Sequence, residues 1–368
     1  MVEMAGITFD RARIGKILGE IERRKTAAKD FVGDVSHMGL SVTNDAITFE
    51  LEVPQEDDGS VLELLSFTKT GKRQFAESMK FPMDFWSRTE AVPANREPLA
   101  KFATHLLRVD PTRRRMVRTL DGNIRAFLSD RYRALDNFDL FMISVQELEK
   151  VKAEIWEARL SDDEFRIYAV APGITGEVKE DKPGLKWESG DRHVAAVSIS
   201  NSETGMGRLK VRPATLRYVC WNLNVWDEGL ARIHLGRRVE EEGWMSDDTK
   251  KADDNLTWKK VRDIVRTAFD KEKFDEVIAK LNGAKKDDIP DPVKAVEAAV
   301  ALTDLPKSAI DSIREKFLKD KDYTRYGLVQ AITFQSHAAP TDDEKNWFED
   351  AGSKVLATSV KDLMATAK

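Results

Sequence analysis

Near the start of the chain Ile14, Ile17, Leu18 and Ile21 recur at helical spacing among Arg, Lys and Glu, which predicts an amphipathic helix over 9–31. The period then changes to two. Residues 47–53 alternate apolar and polar, and 61–67 repeat the β-rich pattern after an acidic turn at 55–60, so a hairpin is expected. Thr70 starts a helix that reaches residue 80, Pro82 breaks and restarts it, and 96–107 is helical again. The clearest local signal is two alternating runs, 115–120 and 124–128, joined by Asp121-Gly122-Asn123, because Asp-Gly between such runs favours a tight hairpin turn. Asp136 or Asn137 then caps a helix over 138–151.

Strand-like runs return at 165–170 and 194–199, with a glycine-rich, charged loop expected over 173–190. The second run ends in the turn Asn201-Ser202-Glu203-Thr204-Gly205, shaped by Asn201, Ser202 and Gly205. It leads into Arg208-Leu-Lys-Val-Arg212, whose alternation puts three cations on one face until Pro213 limits the strand. Beyond residue 256 the pattern is helical, with a linker at 283–288, Pro292 in a first turn, and a capping box from Thr341 to Glu344. The predicted class is α+β: antiparallel hairpins and a mixed sheet covered by helices, then a helical C-terminal region. Its predicted divisions are an α+β core over 1–240, an acidic linker over 241–255 and helices over 256–368.

A length of 368 residues suffices for more than one core. The net charge of −5 argues against a uniformly basic nucleic-acid coat, so an anionic partner must meet a local patch. One such patch exists: 101–135 holds nine Lys or Arg against three Asp. The single cysteine, Cys220, excludes an intrachain disulfide framework and suits a reducing, cytoplasmic setting. No long apolar run or basic-then-apolar leader suggests a membrane or exported protein.

Five scattered histidines, none at ligand spacing, give no basis for a metal site, and no cofactor is expected. Gly205-Met-Gly207 lacks the remaining elements of a dinucleotide or Walker loop and reads as a turn needing positive φ. Cys220 with His193 or His234 as base is the only nucleophilic arrangement, and its apolar surroundings favour packing instead. The basic patch is the better lead. Arg113, Arg114, Arg115, Arg118, Arg125, Arg131 and Arg133 can follow a phosphate backbone, joined by Arg208, Lys210, Arg212 and Arg217. Tyr132, Tyr218, Trp221 and Trp226 offer faces for base stacking, although such residues beside apolar neighbours are commonly core.

The segments Arg118-Thr-Leu-Asp-Gly-Asn-Ile-Arg-Ala-Phe-Leu-Ser-Asp-Arg-Tyr-Arg133, Ser200-Asn-Ser-Glu-Thr-Gly205 and Arg217-Tyr-Val-Cys-Trp-Asn222 resemble an uncharacterised family of bacteriophage and plasmid proteins, domain-of-unknown-function family 932. A weaker likeness follows at 326–333, and together they span about 66–355. Where the family pattern has Gly, this chain has Leu223. The resemblance implies a mobile-element protein accompanying DNA repair or recombination, and supplies no catalytic residues. Single-stranded DNA is therefore the expected partner, with phage or host recombination proteins and self-association as further expectations. Two alternatives stand beside it: a protein-interaction module using the acidic segment 240–254 and the C-terminal helices, and an enzyme in which Asp130, Tyr132, Asn201 or Cys220 converge.

Overall fold

The computed structural model describes residues 11–55, 59–179, 191–218, 222–225, 230–232 and 247–366. It is α+β, with two six-stranded sheets, each covered by helices, and a helical C-terminal region. The first helix, α1 (Arg11–Ala27), gives way to the edge strand β1 (Lys29–Asp34), so the amphipathic pattern stops at Ala27 rather than running to 31. Strands β2 (Met38–Thr43), β3 (Ala46–Pro54) and β4 (Ser60–Phe67) form an antiparallel meander. Helices α2 (Lys69–Ser78), α3 (Met83–Glu90) and α4 (Arg96–Leu107) cover it, burying Phe49, Phe75, Trp86 and Phe127 edge to face.

The hairpin of β5 (Arg114–Leu120) and β6 (Asn123–Ser129) turns on Asp121 and Gly122, both at positive φ (51° and 74°), as its Asp-Gly pair predicts. The first sheet has the order β1-β5-β6-β4-β3-β2. Its mixed character comes from one parallel join, where β4 meets β6 at Ser66 and Phe67. Residues 60–65 of β4 have no strand partner on that side among the described residues, and Val61, Leu62 and Leu64 are about half exposed.

Helix α5 (Asn137–Lys150) leads into the antiparallel second sheet: β7 (Glu154–Leu160), β8 (Phe165–Val178), β9 (Asp191–Asn201), β10 (Leu209–Arg217) and β11 (Leu223–Val225), with β12 (Leu230–Arg232) also on β10. Two expectations change here. The loop read from 173 is strand as far as Val178, because a register shift between Ala171 and Thr175 absorbs the first glycine. Gly176 also admits a covering helix, since a Cβ there would lie 2.7 Å from Ile278. Strand β10 likewise runs through Pro213 instead of stopping. On the side away from β9, β12 pairs with 209–210 and β11 with 214–216, so Pro213 falls where a missing N–H is tolerated.

Helices α6 (Asp247–Ala268) and α7 (Lys271–Lys286) pack with α1 and α5 on one face of the second sheet, burying Val261, Val265, Phe274 and Leu281. From Asp247 onward the expected acidic linker is therefore the start of a helix, and the linker expected at 283 lies largely within α7. Residues 241–246 are outside the described set. The remaining helices, α8 (Pro292–Thr303), α9 (Ala309–Asp320), α10 (Arg325–Phe334), α11 (Asp342–Ala357) and α12 (Val360–Ala365), share a separate core. Asp291 caps α8 ahead of Pro292, and Thr341 caps α11 through the Glu344 N–H. Alternation alone could not assign strands to two sheets, so the single core expected over 1–240 is divided into one cluster at the first sheet and one on each face of the second.

Candidate nucleic-acid interface and the buried arginines

The turn after β9 lies at the junction of the two sheets, where β1, β5, β6 and the start of α5 bring polar groups to it. Arg118 on β5 is 2 % exposed and donates to Asp30 (2.8 Å), Asp136 (2.9 Å) and the Glu203 carbonyl (2.9 Å). Burial works against its charge, yet Asp30 and Asp136 hold its pKa above the usual arginine value. Arg125 on β6 donates to Glu203 Oε2 at 2.7 Å, while Glu203 Oε1 accepts the Asn137 N–H at 2.8 Å. Glu203 thus does for α5 what a capping side chain does locally, satisfying an amide that the helix leaves open. Asp136, the expected cap, makes no cap hydrogen bond and serves Arg118 instead.

The rest of the turn is equally committed. Asn201 Nδ2 donates to the Leu135 carbonyl (2.7 Å) and to Asn137 Oδ1 (2.9 Å). Tyr132 Oη donates to the Ser202 carbonyl at 3.0 Å, and its burial raises its pKa well above the ordinary phenol value. Ser202 Oγ accepts from the Met206 N–H, and Gly205 has φ +74°, in keeping with the expected turn. Thr204 completes the join, donating to Asp163 (3.0 Å) and accepting at its carbonyl from Gln74 on α2 (2.7 Å).

A second network ties the C-terminal helices to the other face of the second sheet. Arg212, 3 % exposed, donates to Asn346 (2.9 Å) and Glu349 (2.7 Å) on α11 and also pairs with Asp350. Beside it, Arg166 donates to Tyr168 Oη (3.0 Å) and pairs with Glu164, and Tyr168 donates onward to Glu349 (3.2 Å). On the opposite face His193 is fully buried, its Nε2 lying 2.9 Å from Tyr326 Oη. Burial, reinforced by Arg217 and opposed by Asp191, pushes its pKa down to about 3. The unfolded chain therefore takes up a proton near 6.5 that the folded chain refuses, and stability falls as pH drops from 6.5 towards 3. The expected loss through this residue is about 1.4 kcal/mol per pH unit in that window. In urea denaturation between these limits, His193→Gln should flatten the dependence; a variant curve parallel to the wild type would contradict the assignment.

These positions correct the binding set. Arg118, Arg125, Arg212 and Tyr132 are interior residues whose polar groups meet the protein itself, so none presents a free face to phosphates or bases. Charge reversal at Arg118 or Arg125 consequently tests folding rather than binding. Arg217 is paired with Asp191 at 2.5 Å and Arg133 with Asp254 at 3.2 Å. Lys210 is half-buried beside Asp350 (3.9 Å), with its pKa lowered chiefly by burial. The three cations expected on one face of β10 therefore separate: Arg208 precedes the strand and is exposed, whereas Lys210 and Arg212 turn under α11.

What remains at the surface is smaller. Arg114 is exposed, 3.8 Å from Asp34. Arg113 reaches the Ser78 carbonyl at the end of α2 (3.2 Å). Among the described residues the side chains of Arg115, Arg131 and Arg208 have no carboxylate within ion-pair distance and no hydrogen-bond partner. The pKa of Arg115 is lowered, first by burial and then by the Arg113 charge, with Asp130 the one acid opposing them. Arg113 and Arg115 thus form a like-charged, half-buried pair at the open end of the hairpin. The loop carrying Arg208 is held close by, because a Cβ on Gly205 would lie 2.9 Å from Leu128 and 3.3 Å from Tyr132, next to Arg131.

Cys220, Trp221 and Trp226 lie outside the described residues. Asp130 is exposed while Tyr132 and Asn201 are spent in the junction, so the convergence an enzyme would need is not formed by these three. Among the described residues no group of three or more His, Cys, Asp or Glu side chains is arranged to hold a metal ion, and no helix is long and apolar enough to cross a membrane. Sequence reasoning missed Glu203 as the hub, although a signal was available: Arg125 interrupts an otherwise apolar strand, and a charge buried on such a strand needs a partner. No family model, curated protein or solved structure matches the chain.

Proposed function

We propose that the protein binds single-stranded nucleic acid, with single-stranded DNA in recombination or replication as the substrate class, through the surface at the open end of the β5–β6 hairpin. The binding groups are Arg113, Arg115 and Arg131, with Arg114 and Arg208 at the margin. The observation that carries this reading is the contrast in pairing. The interior arginines are matched by carboxylates, whereas neither Arg113 nor Arg115 has a carboxylate within ion-pair distance among the described residues, and the Arg113 charge adds to burial in lowering the pKa of Arg115. A phosphate between such guanidiniums gains charge-assisted hydrogen bonds and relieves their mutual repulsion. The recombination or replication setting is part of the same proposal and rests on the sequence likeness to family 932 alone.

Fluorescence anisotropy with a labelled DNA strand of ~40 nucleotides tests it, since single-strand sites track several phosphates. Binding is expected at low salt, weakening by about 0.7 logarithmic units per phosphate contact for each tenfold rise in salt. Arg113→Ala/Arg115→Ala/Arg131→Ala should weaken binding and reduce the salt slope by about 2. Lys259→Ala, an exposed cation on α6, should change neither. Absence of binding by the wild-type chain at low salt would sink the proposal.

A further inference from the structure

We infer that Phe85 and Phe102 form a stacking platform for the bases of the strand whose phosphates the hairpin arginines hold, an inference that rests on the nucleic-acid reading above. Phe85 on α3 and Phe102 on α4 are 54 % and 52 % exposed. Both lean on the same ring: Phe81 lies 5.7 Å from Phe85 and 6.2 Å from Phe102, each contact edge to face. Phe81 is itself buried against Trp86 at 5.5 Å. The outer two rings therefore share a buried aromatic support and keep about half of their surface open. Leaving them exposed forgoes the stabilisation of burying two aromatic side chains, which a lone surface phenylalanine can do by chance but a supported pair does less readily.

Their place relative to the cations decides what they suit. The last turn of α2 ends at Ser78, whose carbonyl holds Arg113. Lys80 follows, exposed and at φ 56°, and then Phe81. Chain geometry keeps the Cα of Ser78, Arg113's anchor, within ~11 Å of the Cα of Phe81, whose ring supports the platform. A polymer alternating anionic groups with flat aromatic ones matches this order of guanidinium, ammonium and ring. Single-stranded nucleic acid has that alternation, and stacking on aromatic side chains supplies affinity without sequence preference. Asp84 directly precedes Phe85 on α3, so the phosphates are expected on the Arg113 side and the bases over the phenylalanines.

The test compares a labelled oligothymidylate with an abasic strand of equal length, which keeps the phosphates and removes the bases. The full chain should bind oligothymidylate more tightly than the abasic strand. Phe85→Leu/Phe102→Leu, which keeps apolar bulk and removes the rings, should lose about tenfold or more in affinity for oligothymidylate only. Its salt slope should be unchanged. Photocrosslinking of a bromouracil-containing strand to the unmodified chain gives a second readout that needs no variant, with adducts expected at Phe85 or Phe102. If the wild type binds and the arginine variant weakens it, but the double leucine variant binds normally or the adducts fall elsewhere, the platform is wrong and the arginine site stands. If oligothymidylate and the abasic strand bind equally, the platform is likewise wrong. If the wild type binds neither strand, both fail, and a protein partner lost in the leucine variant would be the occupant instead.

Discussion

Gly71→Ala is expected to destabilise the protein by about 3 kcal/mol or more, although alanine is the better helix former by about 1 kcal/mol. Gly71 lies in the first turn of α2, where its N–H donates to the N-cap Thr68. Thr68 in turn gives both its N–H and its hydroxyl to the carbonyl of Ile124 on β6, each at 3.0 Å. That close approach is possible because position 71 has no Cβ, which would lie 2.2 Å from the Ile124 oxygen. Both partners are backbone, so no side chain can rotate away. Either α2 lifts from the sheet, losing about 1 kcal/mol for each Thr68 hydrogen bond, or β6 shifts and strains the hairpin. The control is Gly15→Ala in α1, where nothing lies within 4 Å; the same change should there stabilise by up to about 1 kcal/mol. Urea denaturation of both variants measures the difference. Equal shifts of the same sign would show that the approach at Ile124 is looser than described.

That tight contact belongs to the part of the fold the sequence could not announce. Local signals placed the helices and the Asp-Gly hairpin, because turn chemistry and period are written within a few residues. The parallel join of β4 to β6 depends on residues far apart in the chain, and only the lone glycine at 71 hinted at a backbone crossing there. The α+β class was legible for the same reason that the division into two sheets was not. Alternation says that a strand has a buried face, but not what buries it.

The candidate site shows the same boundary. Counting cations along 101–135 found the basic segment but could not separate paired from unpaired ones, since the partners Asp30, Glu203 and Asp254 lie in distant segments. The aromatic pair was hidden differently. Phenylalanine is a residue type that ordinarily faces a core, and only the packing of α3 and α4 shows Phe85 and Phe102 turned out. Exposure and lack of a partner, rather than residue type, distinguish the groups available to a ligand.

Glu203→Ala should be among the most damaging single changes, lowering stability by about 4 kcal/mol or more. Removing one member of a buried ion pair typically costs 3–5 kcal/mol, because the surviving charge is left without a counterion. Here the survivor is Arg125, 4 % exposed, whose Nε already has no partner. The Asn137 N–H at the start of α5 loses its acceptor as well, adding about 1 kcal/mol or more. Against a typical total of about 5–15 kcal/mol, this approaches loss of the native state. Arg125→Leu/Glu203→Leu removes both charges and should recover at least about 2 kcal/mol of that loss, since apolar replacement of a buried pair is often tolerated. The network also joins two sheets with separate cores, so its failure should be visible in the shape of unfolding as well as in its midpoint. Tryptophan fluorescence and far-ultraviolet circular dichroism, coincident for the wild type if it unfolds as one unit, should separate in Glu203→Ala. A midpoint change equivalent to less than about 1 kcal/mol, with the probes still coincident, would show that the sheets are held together elsewhere. The link to function is positional. Arg131 follows β6 of the first sheet and Arg208 precedes β10 of the second, so the junction that Glu203 closes also fixes the distance between the cations proposed to share one strand.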